Sequence, residues 1–134
     1  MSNEPSQHAF TVTLGISYES ALEKVIKALA DEGFGVITQI DVKDTLKSKI
    51  NQDFRKYAIL GACNPVLAHR ALTADLEAGL LLPCNVVVYE ENGGSVVAIT
   101  DPHSMLGIIH QPELESVAQD ARARLERVAK SLSG

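Results

Sequence analysis

Hydrophobic residues along this chain switch between a spacing of two and a spacing of about 3.6, and each switch marks an element. Phe10, Val12 and Leu14 alternate within Ala9 to Leu14, which predicts a half-buried strand. Ser17 stands where a helix N-cap belongs, and Ala21, Leu22, Val25, Ile26 and Leu29 recur at the helical period within Tyr18 to Glu32. Gly33 follows, where a left-handed residue ends a helix. Phe34 to Val42 is rich in β-branched residues and predicts a second strand; Lys43 to Ile50 predicts a short helix turning Leu46 and Ile50 inward. Arg55 to Ala62 is the third strand. Asn64-Pro65 then combines a capping side chain with a proline at the first helical position, where its missing N–H costs nothing. The helix they open runs to about Ala78, ending at Gly79. Its expected buried side carries Ala68, Leu72 and Leu76 with Val66 and Ala71 beside them, and His69, Arg70, Thr73 and Glu77 fall outward.

Asn92-Gly93 lies between Val86-Val87-Val88-Tyr89 and Val96-Val97-Ala98-Ile99, and is the pair best suited to the positive φ angles of a type I′ turn. A hairpin follows, with Val88 facing Val97, Val86 facing Ile99 and, by extension, Cys84 facing Asp101. Pro112 to about Leu132 is a last helix with the stripe Leu114, Val117, Ala121, Leu125, Val128 and Leu132. The fold class is α+β: a mostly antiparallel twisted sheet of about five strands with its long helices on one face. The other face would then expose valines and isoleucines, a surface suited to a homodimer.

Composition narrows the function classes. The 134 residues fit a single domain from residue 9 onward, preceded by a polar stretch, Met1 to His8, expected to be a disordered tail. With 12 basic against 17 acidic residues the net charge is −5, and the basic residues are scattered, so nucleic-acid binding is disfavoured. The most apolar stretch, Ala78 to Tyr89, is interrupted by Pro83 and Asn85 and falls short of the roughly 20 residues a membrane helix needs. No secretory leader is legible, and two cysteines without paired spacing fit free thiols in a reducing compartment. The expectation is a cytoplasmic protein without nucleic-acid or membrane partners.

From Phe10 to about Ala129 the chain resembles the bacterial and archaeal domain-of-unknown-function 302 family. The resemblance rests on Ile40-Asp41-Val42-Lys43 with Thr45-Leu46-Lys47, on Tyr57 to Pro65, on Gly79 to Glu90, and on Asp101-Pro102 followed by Met105-Leu106-Gly107. It implies an architecture similar to the TATA-box-binding-protein fold, β-α-β(4)-α, and a tendency to homodimerise. It implies no activity and leaves any cofactor unknown, and a fold-level likeness to a DNA-binding protein does not transfer DNA binding.

Candidate chemistry gathers at strand ends. Cys63 precedes the cap of the Pro65 helix, where the positive helix end favours a thiolate; the plainer account is a small hydrophobe closing the strand. Cys84 begins the hairpin strand, and an opposing Asp101 would discourage its ionisation. If the thiols meet they could form a disulfide or give two sulfur ligands to a soft metal, with His103 or Asp101 completing the set, although the spacing is no metal signature and no metal is assigned. Asn64 and Asn85 have structural explanations as cap and turn residue. His103, in Asp101-Pro102-His103-Ser104, could act as general acid or base or be merely solvated; His69 and His110 have weaker claims. No phosphate loop or nucleophile elbow is present. Three functions compete. The first is a small-molecule or anion site formed by Cys63, Asn64, Cys84, Asn85, Asp101 and His103. The second is a thiol redox enzyme or sensor in which Cys63 attacks and Cys84 resolves, with Cys63, Cys84 and His103 the catalytic candidates. The third is an interaction module whose cysteines merely pack.

Overall fold

The computed structural model describes residues 9–106 and 108–133, so the expected polar tail, Met1 to His8, lies outside the described residues. Five strands form one antiparallel sheet in the order β1-β5-β4-β3-β2: β1 (Ala9–Leu14), β2 (Gly35–Asp41), β3 (Tyr57–Cys63), β4 (Cys84–Glu91) and β5 (Gly94–Thr100). Asn92 and Gly93 take φ of 51° and 80°, the left-handed pair that the hairpin turn demands. The register is the expected one, Val86 opposite Ile99 and Val88 opposite Val97. Alternation then does its work. Ala58, Leu60 and Ala62 of β3, Val86 and Val88 of β4, and Val97 and Ile99 of β5 are all buried on one face.

Two long helices cover that face. In α1 (Tyr18–Asp31), the Ser17 side chain accepts the Ser20 N–H at 3.1 Å, and Ala21, Val25, Ala28 and Leu29 are buried. Gly33 beyond it has φ of 87°, and a Cβ there would meet Asn64 Nδ2 at 2.9 Å, so glycine both ends the helix and lets the Asn64 cap approach. In α5 (Pro112–Ser133) the whole expected stripe is buried, together with Ala118. α5 packs on α1 and β1 and also on the shorter α3 (Pro65–Ala74) and α4 (Pro102–Leu106), binding the sheet's two halves through one helix.

Several expectations fail for identifiable reasons. The short helix exists as α2 (Val42–Ile50), capped by Asp41, but it buries nothing and Ile50 is 61% exposed; its neighbours are β2 and β3 rather than the long helices. The Pro65 helix stops at Ala74 instead of Ala78. Asp75 is extended, at φ −157° and ψ 116°, and its carboxylate accepts the Glu77 N–H at 2.8 Å, starting a separate 3-10 turn, Leu76–Leu81, that contains Gly79. The buried stripe of α3 is Leu67 and Ala71, so Val66 and Leu76 are 70% and 87% exposed. The Asp101 segment forms α4 rather than an open turn. On the sheet's far face, Tyr57 stacks on its cross-strand partner Tyr89 with ring centroids 5.3 Å apart, and Ile40, opposite Ile59, is exposed.

Candidate functional site

At the end of the sheet where β3 finishes and β4 begins, the secondary structure leaves a gap. Gly61 lies so close to Thr38 and Pro83 that a Cβ would collide with both, which lets the Leu82-Pro83 turn lean over β3. Cys84 then enters β4 opposite Ala62, next to Cys63 along the neighbouring strand. Asn64 turns the chain out of β3: its Oδ1 accepts the Leu67 N–H at 3.2 Å, and Pro65 takes the first helical position, as the sequence predicts. Helices α3, α4 and α5 meet here without filling the space between them.

A cavity of about 230 Å³ remains, with an almost wholly apolar wall. Cys63 and Cys84 both line it, and Asn64 is at its edge in its capping role. Behind them stand Phe34, Leu67, Ala71, Leu82, Val117 and Ala121. Among the described residues, no ionisable side chain other than the two thiols contributes to the wall. Burial first, and the neighbouring Cys63 second, push the Cys84 thiol from its ordinary 9.0 up to about 11. At neutral pH it is a protonated, hydrocarbon-like group.

The other candidates lie elsewhere. Asp101 does not oppose Cys84: the β4–β5 pairing ends at Val86 and Ile99, and the chain then turns into α4. Asp101 Oδ1 accepts the His103 N–H at 2.9 Å, and Oδ2 accepts Arg122 Nε at 3.2 Å, so both carboxylate oxygens serve the turn and an ion pair. The low acidity of Cys84 is as expected, but its cause is burial and Cys63, not Asp101. His103 is exposed and borders a different, polar cleft with His110 and Gln111. Asn85 is exposed and borders a third cleft, which Cys84 and Met105 also line. His69 is exposed on α3. The sulfur-plus-histidine set is therefore not assembled, and among the described residues no group of three or more His, Cys, Asp or Glu side chains could hold a metal ion.

Ala68, Ala71 and Leu72, on the side of α3 expected to be buried, do line the cavity, whereas the rest of its deeper wall was not read from the sequence. One signal was available: Leu67, Ala71 and Ala74 recur at i, i+4 and i+7 and mark the true inner stripe of α3. Leu82, Pro83, Pro102 and Leu106 carry no such signal, since they reach the cavity only through the tertiary turn over Gly61 and the placement of α4. No described helix is long and apolar enough to cross a membrane.

Comparison with known proteins fits this architecture. The model of the domain of unknown function DUF302 matches residues 10–132. The crystal structure of an uncharacterized conserved DUF302 protein from Bacillus stearothermophilus is similar at a TM-score of 0.85 and 32% identity, covering 93% of this chain and 98% of that one. No curated protein matches the chain. With the family pattern spanning nearly every described element, from β1 through α5, the chain belongs to the DUF302 family.

Proposed function

We propose that this domain binds a small, uncharged and largely hydrocarbon molecule in the cavity beside Cys63 and Cys84. The observation that carries the proposal is the wall itself: an apolar space of about 230 Å³ to which no charged side chain among the described residues contributes. Size narrows the ligand. An apolar cavity of about 150 Å³ accepts benzene, so the larger space here suits a fused two-ring aromatic or a short acyl chain. The anion alternative loses its support because Asp101 and His103 stand outside the cavity and both oxygens of Asp101 are engaged. The redox alternative is weakened at its second step, since a resolving thiol held near 11 supplies little thiolate at neutral pH.

The homodimer belongs to the same proposal. Ile40, Ile59, Val87 and the Tyr57–Tyr89 stack share the sheet face that the long helices leave open, which supports pairing of two copies there. Light scattering that returns the mass of one chain at working concentration removes the dimer.

The ligand reading is tested by thermal unfolding with naphthalene, indole and 1-octanol as probes, on the wild type and on Ala71→Phe. Ala71 is fully buried and lines the cavity, so phenylalanine there fills the space that the probe needs. Wild-type stabilisation that rises with naphthalene concentration and disappears in Ala71→Phe is the expected result. No stabilisation by any probe, or an equal shift in both proteins, rejects the ligand function and leaves an interaction module with packed cysteines.

A further inference from the structure

The apolar cavity has a neighbour of different chemistry. The cleft that Asn85 borders, about 170 Å³ in volume, opens at the same end of the sheet, where the 3-10 turn Leu76–Leu81 and α4 meet the start of β4 and the end of β5. Leu82, Pro83, Cys84, Pro102 and Leu106 line both spaces, so the two adjoin across these five residues. Cys84 opposes Ala62 on the core face of the sheet, whereas Asn85 opposes Gly61 and Thr100 opposes Ala9 on the far face. The spaces therefore meet around the sheet's end. Asn85 and Thr100 give the cleft an amide and a hydroxyl that the cavity lacks. Among the described residues neither side chain hydrogen-bonds another protein group, so each keeps a donor and an acceptor to offer. No charged side chain among the described residues lines the cleft, and an ionised group there would lose water without gaining a counter-charge.

We propose that cavity and cleft form one bipartite site for a neutral amphiphile, with a hydrocarbon tail in the cavity and an uncharged amide or hydroxyl head held by Asn85 and Thr100 in the cleft. The inference rests on the hydrocarbon reading of the cavity and adds the head group to it. Size supports the union: neither space reaches the roughly 300 Å³ at which small-molecule pockets usually begin, and the two together pass it. A head that both donates and accepts matches the two side chains, and a carboxamide can pair with the Asn85 amide through two hydrogen bonds. The tail crosses between the Leu82-Pro83 turn and α4, past Leu106 and the Cys84 thiol, which stays protonated and hydrocarbon-like at neutral pH.

Equilibrium titration at neutral pH compares octanamide, sodium octanoate and naphthalene on wild type, on Ala71→Phe and on the double variant Asn85→Leu/Thr100→Val. Thermal unfolding without ligand confirms that each variant folds. Octanamide should bind wild type at least about tenfold tighter than octanoate, because only the acid must bury a charge. The double variant should lose about tenfold or more for octanamide, in keeping with two hydrogen bonds of modest net worth, and stay within about twofold of wild type for naphthalene. Ala71→Phe should lose both compounds, since both place hydrocarbon in the cavity. Octanamide that binds wild type no tighter than octanoate, or equally well to wild type and the folded double variant, overturns the bipartite site while naphthalene binding keeps the hydrocarbon cavity. So does octanamide bound normally by Ala71→Phe, which would put its tail elsewhere. Failure of naphthalene and octanamide alike on wild type rejects the cavity ligand itself and this inference with it.

Discussion

The two cysteines and the Asp101–His103 pair sit at the same end of the sheet, yet only the first pair lines the apolar cavity. Asp101 has both oxygens committed, one to the turn that starts α4 and one to Arg122, and His103 points its surface to solvent. Cys63 and Cys84 instead line a cavity that α3, α4 and α5 enclose without filling. Polar residues clustered in a loop are therefore poor guides to a site when their partners are already local. Two weakly polar residues beside an unfilled volume are better ones, because protein interiors are normally close-packed and a void of this size forfeits contacts that a ligand can restore.

The strongest way to break this contrast is to change the cavity itself. Leu67 is buried and lines it, so Leu67→Ala should destabilise the fold by roughly 2 to 4 kcal/mol through lost burial and a larger void. The same variant should regain more stability than wild type from a bulkier aromatic such as anthracene. Urea unfolding with and without the compound measures both. A cost below roughly 1 kcal/mol would mean that the cavity collapses readily, and that its volume is not a fixed feature of the fold.

Next in size is a pH effect confined to the thiol side. Cys84 has its folded pKa raised from 9.0 to about 11, first by burial and then by Cys63. A raised pKa means that the fold favours the protonated form, so the contribution is complete below pH 9 and is lost as pH climbs toward 11. The loss should be up to about 2 kcal/mol across that window. Cys84→Ser, lacking the titrating group, should show a flatter alkaline limb in denaturant melts followed between pH 8 and 11. Parallel limbs for the two proteins would mean that the thiol is more hydrated than its burial implies.

What could be read from the residues divides along the same physical line. The hairpin register and the α5 stripe were legible because Asn92-Gly93 and an unbroken helical period act locally, each fixing its own geometry. The frame of α3 was not. Ala68 and Leu72 compete with Leu67 and Ala71 for the inner face at similar hydrophobicity, and only packing against α5 decides between them. Its early end turned on whether the Asp75 carboxylate would take the Glu77 N–H, a choice that helical propensity does not report. Both cysteines were legible as strand-end thiols, but their shared cavity depends on Pro83 leaning over Gly61, a contact between β3 and the turn that precedes β4. The misplacement of Asp101 came from extending a correct ladder two pairs past its last one, Val86 with Ile99.

The two smallest effects test the other half of the contrast. Asp101→Ala removes the Arg122 ion pair and the bond to the His103 N–H, and should cost about 1 kcal/mol, mostly through the lost turn bond, because Arg122 is well exposed and its pair is screened. Probe binding in the cavity should not change. His103→Ala goes further down the scale. The ring is exposed and borders a cleft separate from the cavity, so the substitution should move stability by less than about 0.5 kcal/mol. Naphthalene and octanamide affinities should likewise stay within twofold of wild type. A larger fall in either affinity would show that α4 transmits the state of its exposed face to Leu106 and Pro102, which do line the cavity, and would join the two regions into one site.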